Sequence, residues 1–483
     1  MRPARPSFIL ARVASLALAA GLLAAPQAAR AGEDAEPLRL RGSTHDEALP
    51  TTHAPPSRPT AAREDAAPYW RGGATHPRGE HLREALEGAL RTNPKLDAAR
   101  HDAEAANWGV WKEGAGFLPT VSLGGRFTRG TLATTTQANL QPLQNKRVGT
   151  LTLNMPLLAG GQTVYAIKSA ASLASAAALE SRAVSSDVAL ETVTAYLQYL
   201  LAERTTTIVK ATSMRMKRLV EAMRMRRDAG FASDADVAQI VAEDASLSQQ
   251  LADARIGADK ARIQAESLAG RPVVFRADLP SLEKHLPSGP DAAAAMAAGR
   301  NPRVAAASHN AQAALYSSRA TFGRLLPRLD LVGQMQRDYD PAPLVKPDAW
   351  QVALQLSVPL MDAGSFLEYR QKRETATATQ LRADDADRQA RAQGESLMRQ
   401  YRGEGARLKA SSVRARSLLR VADTFDKMFE AGLAPLDTVL EKYRMLAQAQ
   451  IDLEQTTMQR YLAACQLLAL VGALETSMLV ASR

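Results

Sequence analysis

Few residues in this chain could do chemistry, and they lie apart. The seven histidines are His45, His53, His76, His81, His101, His285 and His309. They are scattered, and with the single cysteine, Cys465, they make no Cys/His ligand spacing. No HExxH, P-loop or GxSxG pattern occurs. Hydrolytic zinc chemistry, nucleotide cleavage and serine-type acyl transfer therefore lack their residues; no metal or other cofactor is expected, and a non-enzyme is. Cys465 sits in an apolar helical run, which predicts a buried, inert thiol. The acids with regular placement are Asp236, six residues after Gly230, and the pair Asp437 and Glu441. The pair is four apart, hence on one helical face. Acids at helix starts also serve free amides and the helix dipole.

The elements that carry these residues occur twice. Asn93-Pro94 returns as Asn301-Pro302, an offset of about 208. Gly116-Phe117-Leu118-Pro119 returns as Arg324-Leu325-Leu326-Pro327. The run from Asn154 through Pro156 to Gly161 returns from Ser357 through Pro359 to Gly364. Ala229-Gly230-Phe231 returns as Ala431-Gly432-Leu433. Four matches in one order mark a duplicated unit. In each copy a helix of about thirty residues comes first, 81–114 and 291–323, the second interrupted before Pro302. It ends near Leu-Pro, where proline forces an extended residue. Two strands follow; a second proline ends the hairpin and a glycine opens a very long helix. That helix stops at Ala-Gly, a left-handed cap signal at Gly230 and Gly432. A last helix runs back. The long helices, from Gln162 to Ala229 and from Ser365 to Ala431, predict rods of roughly 100 Å at 1.5 Å per residue. Their small, spaced apolar residues predict coiled-coil packing.

The strands alternate with period two. Leu151, Leu153 and Met155 oppose Thr150, Thr152 and Asn154; Trp350, Val352, Leu354 and Leu356 oppose Gln351, Ala353 and Gln355. Their length, roughly nine to eleven residues, is that of a tilted membrane strand. Alternation alone fits a soluble sandwich with one wet face equally well. Four strands, however, neither close a barrel nor complete a sandwich. In lipid their open edges are forbidden, so either the strands are soluble or several subunits pool them.

Composition and charge set the compartment. Arg2, Arg5 and Arg12 precede an apolar run from Val13 to Ala25, and Ala29-Arg30-Ala31 resembles a cleavage site. This reads as a secretory signal over 1–31. The run is shorter than the roughly twenty residues a membrane helix needs. Residues 32–79 are rich in proline, alanine and charge and read as a disordered mature N-terminus. The first unit then spans 80–270, with strands near 120–130 and 147–156. A proline-rich linker covers 271–290. The second unit spans 291–476, with strands near 328–338 and 349–359, and 477–483 form a short tail. The net charge is +10, but no basic cluster with interleaved aromatics points to nucleic acid.

Together these motifs resemble the TolC-like outer-membrane efflux proteins: Pro119 and Pro327 before the first strand of each hairpin, and Pro156 to Gly161 and Pro359 to Gly364 after the second. The ordered set is specific, although no single motif is. The resemblance covers roughly 80 to 475. It implies a mixed α and membrane-β fold, in which a long-helix α-barrel continues into a pooled transmembrane β-barrel, with four strands per subunit in a homotrimer. It implies a passive exit duct of the outer membrane extending into the periplasm, in contact with lipid. An inner-membrane transporter of ABC, RND or MFS type would supply energy through a periplasmic adaptor, for efflux or type I secretion. It also implies a gate at the periplasmic helix tips. Asp437, Glu441 and Asp236 are the candidate gate acids, since three copies of an acid around an axis attract cations. The family's paired acids are only partly kept, because Thr438 and Gln239 stand at two of the aligned positions. The alternative is a periplasmic coiled-coil adaptor or stalk, although an adaptor is expected to carry one helical hairpin rather than two duplicated units.

Overall fold

Asn-Pro steps open the architecture in both copies. In the computed structural model, α1 (Glu80–Thr92) stops at Asn93 and α2 (Pro94–Gly114) starts directly after it. In the second copy α5 (Pro290–Arg300) stops at Asn301 and α6 (Pro302–Gly323) follows. The cap is the same in both. The Asn93 side chain accepts from the Lys95 amide at 2.9 Å, and Asn301 from the Arg303 amide at 2.8 Å. Proline takes the first helical position, where its missing N–H has no intrahelical partner to lose. The uninterrupted helix expected over 81–114 is therefore broken, by the same step that breaks the second copy.

The structure describes residues 80–130, 144–276, 279–339 and 347–480. The expected signal segment 1–31, residues 32–79 and the last three residues of the tail lie outside them. The chain divides into two units, Met1–Gly73 and Ala74–Arg483, and every described residue belongs to the second.

Each short helix leads into a hairpin. Strands β1 (Thr120–Gly130) and β2 (Gln144–Ala159) form the first, β3 (Arg328–Asp338) and β4 (Asp348–Ser357) the second. They make one antiparallel sheet in the order β1-β2-β3-β4. The two copies thus join through the β2–β3 pair, and β1 and β4 remain as edges. Pro156 does not end its hairpin as expected. The register shifts between Pro156 and Leu158, and pairing resumes at Leu158 with Leu329. Leu157 is the extra residue of a bulge directly after the proline, so the strand outlasts its proline. In β4 the ladder stops at Ser357, before Pro359.

The long helices follow. In the first copy Gly160 and Gly161, at φ 54° and 78°, turn the chain from β2 into α3 (Gln162–Asp228, 67 residues). The second copy differs from expectation. Gly364 lies inside α7 (Ala363–Glu430, 68 residues), and the cap is Asp362, which accepts from the Ser365 amide at 3.0 Å. The first copy starts its helix on a left-handed glycine, Gly161, without a side-chain acceptor, and the second on a carboxylate that caps it. At the far ends α4 (Asp234–Ala269) and α8 (Leu436–Leu470) run back, and α9 (Leu474–Val480) closes the described chain.

Next to the sheet, the helices form the row α2-α3-α6-α7. Lys95 pairs with Glu191 across α2 and α3 at 3.1 Å, the Ser169 hydroxyl donates to the Ala313 carbonyl at 2.8 Å, and Phe322 packs on Tyr369 between α6 and α7. Further along, α4 pairs with α3, and α8 with α7. Two apolar clusters hold these pairs together. One joins Leu82, Leu86, Val193, Tyr196, Leu282, Cys465, Leu468 and Met478. Cys465 is fully buried, and burial pushes its thiol well above the usual range. The other cluster lies at the tips, around Met216, Leu219, Ile240, Phe429, Val439 and Tyr443.

Candidate channel wall and helix tips

The sheet has two chemically distinct faces. Register places Leu123, Leu151, Met335 and Trp350 in one cross-strand row, and Val121, Leu153, Gly333 and Val352 in the next. The intervening row is Ser122, Thr152, Gln334 and Gln351. Gln351 donates to the Gln334 side chain at 3.0 Å, and the Lys146 ammonium pairs with Asp338 at 3.2 Å on this polar side. The apolar side is bare. Leu123 is 83% exposed, Trp350 79%, Val352 65% and Leu354 66%. A soluble sheet covers such a face with a helix or a second sheet. Among the described residues none does so here, and every β4 position is exposed.

Backbone proximity sets the junction between sheet and helices. A Cβ on Gly160 would fall 2.3 Å from the Gly323 carbonyl, and one on Gly323 would fall 2.8 Å from the Gln162 amide. The two copies meet there backbone to backbone. Of the expected boundary residues, Pro119 and Pro327 precede β1 and β3, Pro359 and Gly364 flank the cap of α7, and Pro156 lies at the bulge.

Both tips use one turn. Gly230, at φ 82°, donates to the Arg227 carbonyl at 2.9 Å, and Phe231 to that of Arg226 at 2.8 Å. Gly432, at φ 76°, donates to Phe429 at 2.9 Å, and Leu433 to Met428 at 2.8 Å. This is the Schellman pattern, which satisfies the last carbonyls of α3 and α7. The apolar residue after each glycine usually packs back on its helix. Here Phe231 is 84% and Leu433 73% exposed.

The tip acids fall into two groups. Asp236 closes a capping box: its carboxylate accepts from the Ser233 amide at 2.9 Å and from the Ser233 hydroxyl at 2.7 Å. Those bonds, the backbone one first, hold its carboxyl below the usual range. Asp437 and Glu441 lie on the exposed side of α8, opposite the buried stripe of Leu436, Val439, Leu440 and Tyr443. Asp437 accepts from the Gln239 amide group at 2.6 Å, and Glu441 pairs with the adjacent Lys442 at 3.2 Å. Position 239 thus links to the acid of the other copy rather than supplying one.

Periodicity did not reveal the clasps between the two helix pairs. The Arg226 guanidinium lies 4.2 Å from the Phe429 ring centre and donates to the Phe429 and Glu430 carbonyls. Arg444 bonds Glu243 at 2.9 Å, and Arg215 pairs with Asp423 at 3.5 Å. The buried Tyr443 hydroxyl donates to Asp426; burial, then that bond, push its ionisation upward. For Arg215 and Arg226 the sequence signal was the density of arginine before Gly230.

The comparisons with known proteins follow the same outline. A family model for the outer membrane efflux protein matches twice, over residues 85–271 and 294–473. The chain belongs to that family. It is an outer-membrane protein that extends into the periplasm, and the double match coincides with the duplicated unit. A search of curated proteins returns no significant match. Among solved structures, the outer-membrane channel OprN aligns with TM-score 0.73 at 20% identity, over 82% of this chain and 90% of that one. The outer membrane protein VceC of Vibrio cholerae aligns with TM-score 0.69 at 17% identity, over 81% and 96%. The CmeC outer membrane channel of Campylobacter jejuni gives 0.71 at 13%, over 88% and 94%. At these identities the likeness establishes the fold: long helices with a four-stranded sheet, built from two repeats.

Proposed function

We propose that three copies of this chain close one twelve-stranded barrel through the outer membrane and one helical tunnel through the periplasm, and that the assembly is a passive exit duct. The observation that carries this is the sheet with a bare apolar face and two unpaired edges. In hydrocarbon each unpaired backbone group costs several kcal/mol. Bacterial barrels start at about eight strands, so four must be pooled. Joining β1 of one copy to β4 of the next removes every edge and turns the apolar rows to lipid and the polar rows to a water-filled lumen. The subunit performs no chemistry and holds no cofactor.

Energy for transport comes from an inner-membrane transporter of ABC, RND or MFS type, reached through a periplasmic adaptor in a tripartite efflux or type I secretion system. Support for a partner at the tips comes from Phe231 and Leu433, equivalent apolar residues left in water by both turns. Asp437 and Glu441 form the gate ring. What supports this is their shared exposed side on α8, next to clasps that hold the tips together. Asp236, engaged in its capping box, is the weaker contributor of charge. Purified protein in planar bilayers tests the duct. Discrete ohmic conductance steps from a heat-sensitive trimer are expected. A protein that stays monomeric and silent, or fractionates as soluble periplasmic material, overturns the proposal.

A further inference from the structure

The helix row α2-α3-α6-α7 ends in two free faces, and their side chains match. On α2 the buried and half-buried positions recur at Leu96, Ala99, Ala103, Ala106 and Val110, the stripe against α3. At about 100° per residue, Trp108 and Trp111 stand roughly 160° and 100° around the helix from that stripe. They are 67% and 66% exposed. On α7 the stripe against α6 is Tyr369, Ala376, Ala383 and Ala390. Leu367 and Arg370 stand roughly 170° and 130° from it, and Leu367 is 66% exposed. A helix in a closed ring of twelve has its two neighbours about 150° apart, so these faces are the ones a ring leaves for the next copy.

Height agrees as well. α2 runs toward the sheet and α7 runs away from it, so the two are antiparallel neighbours in such a ring. At 1.5 Å per residue, Trp111 and Trp108 lie about 4.5 and 9 Å before the end of α2, and Leu367 and Arg370 about 6 and 10 Å after the start of α7. Both helix ends adjoin the sheet, at Thr120 and Ser357. The unpaired strand edges β1 and β4 belong to the same two ends of the row, so the helix contact continues the strand contact.

We infer that Trp108 and Trp111 are the anchors of the subunit seam, packing on Leu367 and beneath the Arg370 guanidinium of a second copy of this chain. The chemistry suits such a seam. Indole buries a large apolar area, and a guanidinium over its face adds a cation–π attraction. Two neighbouring tryptophans on a free helix face otherwise form an apolar patch in water. The inference rests on the trimeric reading above and names the residues that hold it.

Cysteine cross-linking tests the register. Cys465 is fully buried, so the full-length chain carrying Trp111→Cys and Leu367→Cys presents two accessible thiols. In outer membranes, a short bis-maleimide should give covalent dimers and trimers on denaturing gels. Mixed chains with one substitution each should give heterodimers only. Two results overturn the inference. A trimer by native mass that does not cross-link takes the tryptophans out of the seam and leaves the trimer standing. A monomer in the membrane sinks both. Independently, Trp108→Ala with Trp111→Ala should raise the monomer fraction at fixed detergent about tenfold, and an unchanged fraction in correctly folded protein counts against the anchors.

Discussion

Val352 and Ala353 are adjacent in β4, point to opposite faces and are both exposed in the single chain. That makes them a sharp test of the membrane wall. Val352 sits near mid-strand, four residues from Asp348 and five from Ser357. At about 3.3 Å per residue it lies roughly 13 Å from one strand end and 17 Å from the other, close to the bilayer midplane once the strand tilts. An arginine on the lipid face there costs about 2–4 kcal/mol, whereas a lumen residue mainly tunes selectivity. Val352→Arg should therefore lose about 2–4 kcal/mol per subunit, or about 6–12 kcal/mol per trimer. Ala353→Arg, next to Val332 on the polar face, should lose little. The assay is refolding from urea into short-chain lipid vesicles, followed by the heat-sensitive gel shift of the trimer. Val352→Arg should fail to insert, or insert with a strongly lowered midpoint, while Ala353→Arg inserts normally and changes ion selectivity. Equal losses at both positions, or a loss only at Ala353, would refute the assignment of faces.

Other expectations concern the junction and the tips. Asp437→Ala with Glu441→Ala should lower cation selectivity and weaken block by polyvalent cations in bilayer recordings; unchanged selectivity removes the ring from the account. Gly323→Ala places a Cβ 2.8 Å from the Gln162 amide and 2.9 Å from the Gly160 carbonyl, so it should cost about 1–3 kcal/mol of stability in urea titration through overpacking. Gly364→Ala, at ordinary helical φ with only the Asp362 side chain nearby, should be neutral or gain about 0.5–1 kcal/mol. Tyr443→Phe removes a buried bond to a carboxylate worth about 1.5–3 kcal/mol, so amide exchange at the tip should quicken, and unaltered exchange would detach that α7–α8 bond from tip stability. The Asp236 carboxyl is held below its usual value near 3.9 by Ser233. Its contribution is thus complete above that pH and lost as pH falls through the lower folded value. Exchange protection over the first turn of α4, corrected for intrinsic rate, should drop below about pH 4 in the native chain and show no such step in Asp236→Ala.

Much of this protein follows from order along the chain. Duplication, strand alternation and the Ala-Gly stops at Gly230 and Gly432 are local, because a glycine's freedom and a period of two need no distant partner. The fold class and the four strands were legible for that reason, and so was the choice that counting edges leaves, between soluble strands and strands pooled by several subunits. The break at Asn93 was legible too, since Asn301 carries the same step, but a long alanine-rich run obscured it.

Only the folded chain decided the rest. Pro156 marks a bulge rather than an end, because β3 keeps pairing past it; that depends on a strand some 170 residues away. Gly364 lost its turn to Asp362, because a carboxylate at the cap satisfies the same amides that a left-handed glycine exposes. Asp236 and Asp437 look alike in sequence, yet one is bound to its own helix start and the other reaches the opposite copy through Gln239. Local pattern places an acid at a helix start. Which atoms it meets there is set by helices packed from distant parts of the chain, and no short-range spacing encodes that.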